Sequence, residues 1–562
     1  MPRSIRLAPE CIPQVKLALR RHGFPSQKAF AVELGRARAT IDNFFKGIPI
    51  DYINFVEISE KLGLDWQAIA YIEEDPPIQI KPPPPDTPPE PPIEPPDKGY
   101  IDTLVQKVRQ HCHNKIQNLY GKMHLLDISQ AVDIKNLYVD VNILEEITSY
   151  QFRDLSDLLQ GFNPDADNFD RFGLSKVCQK RVSGLKAVTE HSKLMVLGKP
   201  GAGKTTFLKH IAIECNKGDF QGNQVPIFIP LKIFAEDSRG AGDFGVLQYI
   251  HQEFASCGIR QQSETEEVLS QGRGLILLDG LDEVPEENSD EVVRQIRSFA
   301  RMYFKNQFII TCRIAAHKYR FDEGFTDVEV ADFNDQQIKD FAKNWFVAFA
   351  KDNREKGLAL ADEFIEKLNR PENKQIRELA VTPILLNLTC LVFQVRAEFP
   401  SKRSNLYEQG LDILLRRWDE ARGIKRDKVY RNLDVEHKKE LLIQVAAITF
   451  ERGDYFFEKS KIQGYIADYL RTLPNAITER ATLQRDSEAV LKSIDAQHGL
   501  LVERARGIYS FSHLTFQEYF TARYFVENSD SQALEKLVSH ITEKRWREVF
   551  LLTTEILPNA EC

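Results

Sequence analysis

The stretch KLMVLGKPGAGKTTFLKHIA, residues 193–212, decides the fold of the 562-residue chain. Leu194–Leu197 is an apolar run of strand length. It enters Gly198-Lys199-Pro200-Gly201-Ala202-Gly203-Lys204-Thr205, and Thr206 then opens a helical pattern with Phe207, Leu208 and Ile211 on one face. Strand, glycine-rich turn and helix in that order make a P-loop. The glycines let backbone N–H groups turn inward around phosphate oxygens, and the helix N-terminus adds a field favourable to negative charge. In such a loop Lys204 reaches the β- and γ-phosphates and Thr205 supplies a hydroxyl to Mg2+.

Outward toward the C-terminus, GLILLDGLDEVPE, residues 274–286, holds a short buried strand, Leu275–Leu278, that ends in a carboxylate. Asp279 is placed there to hold Mg2+, and Gly280 allows a tight turn. Asp282 and Glu283 put two further carboxylates where one can orient an attacking water. The plainer alternative for that pair is capping of the next helix. Two such strands around a phosphate loop, in a chain of this length, predict a multidomain α/β protein built on a parallel P-loop sheet.

The P-loop followed by LILLDGLDE resembles the NACHT group of signal-transduction ATPases with numerous domains, in its bacterial type. These proteins are relatives of the animal nucleotide-binding innate immune receptors. The glycine after the first aspartate and the acidic pair are the group's marks, and other stretches extend the likeness from about Val182 to Asn528. VPIFIPLKIF, residues 225–234, is similar to the second strand of that domain, with Lys232 at its end. QFIITCR, residues 307–313, resembles its sensor strand, which implies that Arg313 reaches toward the γ-phosphate. A surface salt bridge is the alternative for that arginine. In RELAVTPILLNLTCLVF, residues 377–393, the resemblance sets Pro383 against the adenine ring, a position that also suits proline as a first helical residue.

Farther on, SNLYEQGLDILLRRWDEARG, residues 404–423, is similar to the helix joining a helical domain to a winged helix. GLLVERARGIYSFSHLTFQEYFTARYF, residues 499–525, reads as strand, Arg506-Gly507 turn, strand and amphipathic helix. The family likeness implies that His513 contacts the β-phosphate of ADP and holds a closed state. The alternative is a histidine packed between wing and helix. RWREVFLLTTEIL, residues 545–557, looks like the first helix of the repeat array that usually follows in the family.

Taken together, the resemblance implies ATP and ADP with Mg2+ as cofactors, slow regulatory hydrolysis, an ADP-closed and ATP-open cycle, and self-association on opening in response to an unidentified trigger. The output would be transcriptional control or antiphage defence. A nucleotide-binding scaffold without turnover is the alternative, against which Asp282 and Glu283 argue.

Toward the N-terminus, residues 1–46 carry nine cations against three carboxylates, a net +6, on a chain of net charge −8. A basic head on an acidic body attracts a polyanion locally. Within it, SQKAFAVELGRARATIDNFFKG, residues 26–47, sets Phe30, Ala31 and Leu34 on one apolar stripe and Ile41, Phe44 and Phe45 on another, with Gly35 at the turn between them. Ser26 is a good cap for the first helix, and the second would present Arg36, Arg38, Thr40, Asn43 and Lys46 to a duplex groove. The segment resembles a Cro/C1-type repressor domain; a helical bundle that binds protein is the alternative.

Twelve of the 27 prolines fall between Pro76 and Pro96, which makes that stretch an extended spacer reaching about 60 Å at ~3.1 Å per residue. An SH3-like partner is the second possibility there. The expected order is a helix-turn-helix-like head at 1–75, a proline-rich linker at 76–99, a helical connector at 100–168, the P-loop domain at 169–330, a helical domain at 331–437, a winged-helix domain at 438–530 and the start of a helical segment at 531–562. The sequence has no run of about 20 apolar residues and no apolar signal core, so a cytoplasmic location without membrane contact is expected. Eight cysteines scattered without CxxC pairing suggest neither a disulfide framework nor a zinc ribbon, and His111-Cys112-His113 has no second ligand pair nearby.

Overall fold

A computed structural model describes residues 4–8, 11–21, 24, 26–34, 38–64, 66–71, 98–124, 131–147, 155, 158, 181–241, 245–314, 321, 323–350, 353–417, 433–473, 479–528 and 531–557. The chain divides into two compact units, Met1–Glu94 and Pro95–Cys562.

In the first unit five helices, Ile12–Arg21, Gln27–Glu33, Arg38–Lys46, Tyr52–Lys61 and Trp66–Ile69, surround an aromatic core. Phe24, Phe30, Phe45, Phe44 and Phe55 meet edge to face in a chain, with successive centroids 4.8, 6.4, 5.5 and 5.0 Å apart. The Ser26 hydroxyl accepts the Ala29 N–H at 3.2 Å, the capping contact expected of it. The sequence does not announce the small sheet, in which β1 (Ser4–Leu7) pairs antiparallel with β2 (Ile50–Asp51) and β3 (Ala70–Tyr71). Strands this short cannot show alternation; they satisfy backbone groups that the helical core would leave unpaired. Arg36 and the proline tract lie outside the described residues.

The second unit is built on a seven-stranded sheet. After the antiparallel pair β4 (Lys122–His124) and β5 (Ala131–Asp133) come β6 (Asn142–Leu144), β7 (Arg181–Ser183), β8 (Lys193–Gly198), β9 (Val225–Pro230), β10 (Gly274–Asp279), β11 (Gln307–Arg313) and β12 (Thr326–Val330). These last seven lie in the order β7-β6-β12-β8-β11-β10-β9. From β12 to β9 the strands run parallel, so the carboxyl ends that carry the P-loop, Arg313 and Asp279 share one edge. Every residue of β10 and β11 is buried, as expected of parallel strands covered on both faces. β11 separates the P-loop strand from the Asp279 strand, pairing Arg313 with Gly198 on one side and Ile310 with Leu278 on the other.

The segment expected to be a connector belongs in part to this body. Helix Lys98–Tyr120 buries Leu104, Val105, Val108 and Cys112, a stripe that needs an apolar partner. It lies along helix Lys204–Lys217, where Arg109 donates to the carbonyls of Cys215 (2.8 Å), Asn216 (3.1 Å) and Gly222. β6 and β7 then extend the sheet beyond β12.

Helices Asp335–Phe349, Arg354–Leu368, Lys374–Leu379, Pro383–Arg396 and Arg403–Asp412 form the helical domain. The first opens on a capping box between Asn334 and Gln337, and Trp345 Nε1 donates to Asn387 Oδ1 at 2.8 Å in the core. The joining helix at 404–423 turns into a wider π-type turn over Ile413–Arg417, and residues 418–423 lie outside the described residues. The winged-helix domain has helices Val435–Glu451, Lys459–Thr472 and Arg480–Ser493. Its wing is β13 (Phe457–Glu458), β14 (Leu501–Ala505) and β15 (Ile508–Phe511), in the order β13-β15-β14. The following helix, Leu514–Glu527, is not amphipathic as expected: every residue from Leu514 to Ala522 is buried, because it is packed between Val435–Glu451 and Arg547–Ile556. Among the described residues no helix is long and apolar enough to cross a membrane.

Candidate functional site

Gly198 closes β8, and the chain turns through Lys199–Gly203 onto the helix that begins at Lys204. Gly201 and Gly203 have φ of 73° and 94°, and a methyl added at Gly201 would stand 2.3 Å from Ile384 Cγ2. Only glycine fits there. Lys204 Nζ donates to the carbonyls of Gly198 at 2.8 Å and Lys199 at 3.0 Å, folding over the loop where phosphate oxygens would compete for it.

Thr205 Oγ1 donates to Asp279 Oδ1 at 3.1 Å, so the two residues expected to hold Mg2+ already touch. A hydroxyl and a carboxylate suit this hard cation, which keeps waters and phosphate oxygens as its other ligands. Gly280, at φ 80°, starts the turn Leu281–Glu283, and there the acidic pair diverges. Asp282 is bound by Arg313, whose Nε lies 3.0 Å from Oδ2 and whose backbone N–H donates to Oδ1 at 3.1 Å. Glu283 folds back over Gly280, its Cδ 2.9 Å from where a Gly280 Cβ would stand.

Arg313 is 3% exposed, so it is not a surface salt bridge. Its Nη1 donates at 2.9 Å to the carbonyl of Ala496, in the winged-helix domain. The arginine expected at the γ-phosphate therefore spans from the acidic turn to the winged helix. Beside it Gly499 meets the P-loop, since a Cβ there would stand 2.8 Å from Pro200 Cδ.

These groups surround a cleft of about 550 Å³. Its polar lining is residues 200–206 with Asp279, Asp282, Glu283, Thr311 and Arg313, and its apolar lining includes Pro383, Ile384, Phe333, Phe341, Leu137, Tyr138, Val139 and Val141. A lining that offers both phosphate-binding groups and apolar surface suits a nucleotide. Pro383 is the first residue of its helix and also lines the cleft.

Gly198, Lys199 and His513 stand outside the cleft lining. Lys199 turns away to Asp332, with Nζ 2.7 and 3.0 Å from its two oxygens. Burial alone would raise the Asp332 carboxyl, but Lys199, helped by His513 and Arg504, brings it below the usual carboxylate range. His513 is buried between the wing and its helix and shares a 3.3 Å hydrogen bond with Thr382 Oγ1, one residue before Pro383. Burial is the main cause that brings its pKa down to about 4; Lys199 and Arg504 act in the same sense, Glu378 and Asp332 against it. The imidazole is therefore neutral at pH 7. Lys232 is the second residue of helix Leu231–Ala241, two positions past the end of β9.

In the head, helix Arg38–Lys46 buries Ile41, Phe44 and Phe45, leaves Arg38 and Lys46 exposed, and half-buries Thr40 and Asn43. Arg38 has Asp42 at 3.8 Å on the same face.

Three contributions escape the sequence reading. The Leu137–Val141 stretch lies far upstream of the P-loop, and its valines at alternate positions were the only signal. Thr311 looks like any β-branched strand residue. Asp332 has no motif of its own.

With this geometry in place, residues 192–348 match the NACHT domain, and residues 403–525 match the winged helix-turn-helix domain C-terminal to NACHT. A comparison with curated proteins gives no match.

Proposed function

We propose that this chain, a NACHT-domain P-loop NTPase with the associated winged-helix domain, is a signalling switch that ADP keeps closed and ATP opens. The observation that carries this is Arg313, whose one guanidinium bridges Asp282 in the acidic turn and Ala496 in the winged helix. A γ-phosphate oxygen offers a full negative charge where a carbonyl offers a partial one, so ATP would draw the guanidinium off Ala496 and weaken the winged-helix dock. His513 would add a neutral N–H to the β-phosphate of ADP after a small movement from Thr382.

Within the cleft, the amides of the loop and Lys204 bind and orient the phosphates, and Thr205 with Asp279 would hold Mg2+. That cation supplies charge neutralisation at the transferring phosphoryl group. Asp282 is held by Arg313, and Glu283, which lines the cleft with Asp279, is the group assigned to accept the proton of an attacking water. Hydrolysis is slow and returns the closed state. Glu283→Gln is expected to keep nucleotide binding and lose phosphate release. Equal turnover in that variant would remove Glu283 from this role, and ATP left intact by the wild type would favour a scaffold without turnover.

The head is the output. Its exposed Arg38 and Lys46, beside Thr40 and Asn43 on a helix whose opposite face is the core, favour duplex DNA over a protein partner. Opening would allow head-to-tail self-association and bring heads together, so that weak single contacts gain by avidity. Transcriptional control follows from a sequence-selective head. Defence signalling follows if selectivity is absent.

A further inference from the structure

Strand β11 runs between the P-loop strand and the Asp279 strand, and its alternate residues 311 and 313 share one face of the sheet. Arg313 takes hold of Asp282. Thr311, 1% exposed, takes hold of Asp279: its Oγ1 donates to Asp279 Oδ1 at 2.7 Å and accepts the Gly280 N–H at 2.8 Å. A threonine hydroxyl carries one proton. Since the Gly280 N–H occupies a lone pair of Oγ1, that proton must go to the carboxylate, and the direction of the bond is fixed. The same Asp279 oxygen receives Thr205 Oγ1 at 3.1 Å. Two hydroxyls, one on the P-loop helix and one on β11, thus meet on one carboxylate oxygen and restrain its rotation. The Gly280 bond sets where the acidic turn leaves the strand.

We infer that Thr311 is a positioning residue for the divalent cation, its hydroxyl setting the orientation in which Asp279 presents its carboxylate. The inference rests on the NTPase reading above and goes beyond it by assigning a role to a residue outside the P-loop and the acidic turn. The reason is general: a carboxylate that must bind a cation with strict octahedral demands gains from having its rotamer fixed before the cation arrives. Without the hydroxyl, Asp279 keeps its charge but loses the 2.7 Å bond from β11, and Gly280 is left with a buried unpaired N–H.

The test uses the full chain and Mn2+ as a paramagnetic substitute for Mg2+, with free and bound Mn2+ counted by electron paramagnetic resonance at saturating ADP. Thr311→Val keeps the branched shape and removes the hydroxyl. It is expected to weaken ADP-dependent Mn2+ binding about 10- to 100-fold, while ADP affinity in EDTA stays within about twofold of wild type. Thr311→Ser restores the hydroxyl and is expected to return Mn2+ binding to within a few-fold. Unchanged Mn2+ affinity in Thr311→Val overturns the inference, as does an equal loss of ADP affinity in EDTA, which would mean that the loop and not the cation site is perturbed. Should Thr311→Val fail to fold, Thr311→Ala against Thr311→Ser makes the same comparison. A wild type that takes up no Mn2+ with ADP would sink the NTPase reading itself; normal wild-type uptake with no effect of substitution sinks only the role of Thr311.

Discussion

His513 refuses a proton in the folded chain until about pH 4, against about 6.5 when unfolded. Because the folded pKa is depressed, the unfolded state binds more protons through this interval. The contribution is whole above about pH 6.5 and is lost as pH falls toward 4, on the order of 3 kcal/mol in all. Denaturant unfolding followed between pH 7 and 4 should show this loss, and His513→Gln should flatten that part of the profile; an identical profile in the variant would assign the acid sensitivity elsewhere. His513→Ala is expected to favour the open state, and a closed monomer on sizing in ADP would count against its role. Lys204→Ala should abolish fluorescent-ADP binding, since the amine that folds over the loop is the one that would meet the phosphates. Residues of this kind were readable from sequence because phosphate chemistry dictates their type and spacing. Thr311 and Asp332 were not, because their roles depend on contacts to Asp279 and Lys199 that only the sheet order brings together.

β11 and the turn before β14 carry contacts between the P-loop domain and the winged helix. Arg313 reaches Ala496 through a backbone carbonyl, which has no sequence signature, and Gly499 at φ 61° sits against Pro200 where a side chain would collide. Gly499→Val should therefore loosen the winged helix from the P-loop and speed ADP release about tenfold or more. Stopped-flow displacement of a fluorescent ADP measures this, and an unchanged release rate in a folded variant would show that this contact does not hold the dock. The parallel strands were legible as apolar runs ending in glycine, aspartate or arginine, because burial on both faces leaves them no alternation to hide in. The two- to four-residue strands of the head were not legible, and neither was β6, where three residues carry too little pattern. Helix Leu514–Glu527 misled because Thr515, Gln517, Glu518 and Thr521 look like a solvent face. They are buried and bonded instead: Thr515 Oγ1 donates at 2.8 Å to Glu378 of the helical domain, and Gln517 Nε2 donates at 3.0 Å to Thr449 within the winged-helix domain.

At the scale of the whole molecule, a +6 head joined through a proline tract to an acidic body would, in the proposed switch, couple nucleotide state to avidity. Duplex binding should weaken steeply with salt, and Lys46→Ala should reduce the slope of log affinity against log salt by about one if it contacts a phosphate. Filter or anisotropy titrations across a salt series decide this; no binding in any nucleotide state would make the head a protein-contact module. The central claim is that nucleotide state sets the dock of the winged helix on the P-loop domain, and the most direct measurement is sedimentation velocity of the full chain saturated with ADP or with a non-hydrolysable ATP analogue. The account predicts a compact monomer in ADP and, in the ATP analogue, a more extended particle that self-associates with concentration. Identical sedimentation in the two states, with both nucleotides shown to be bound, would contradict it.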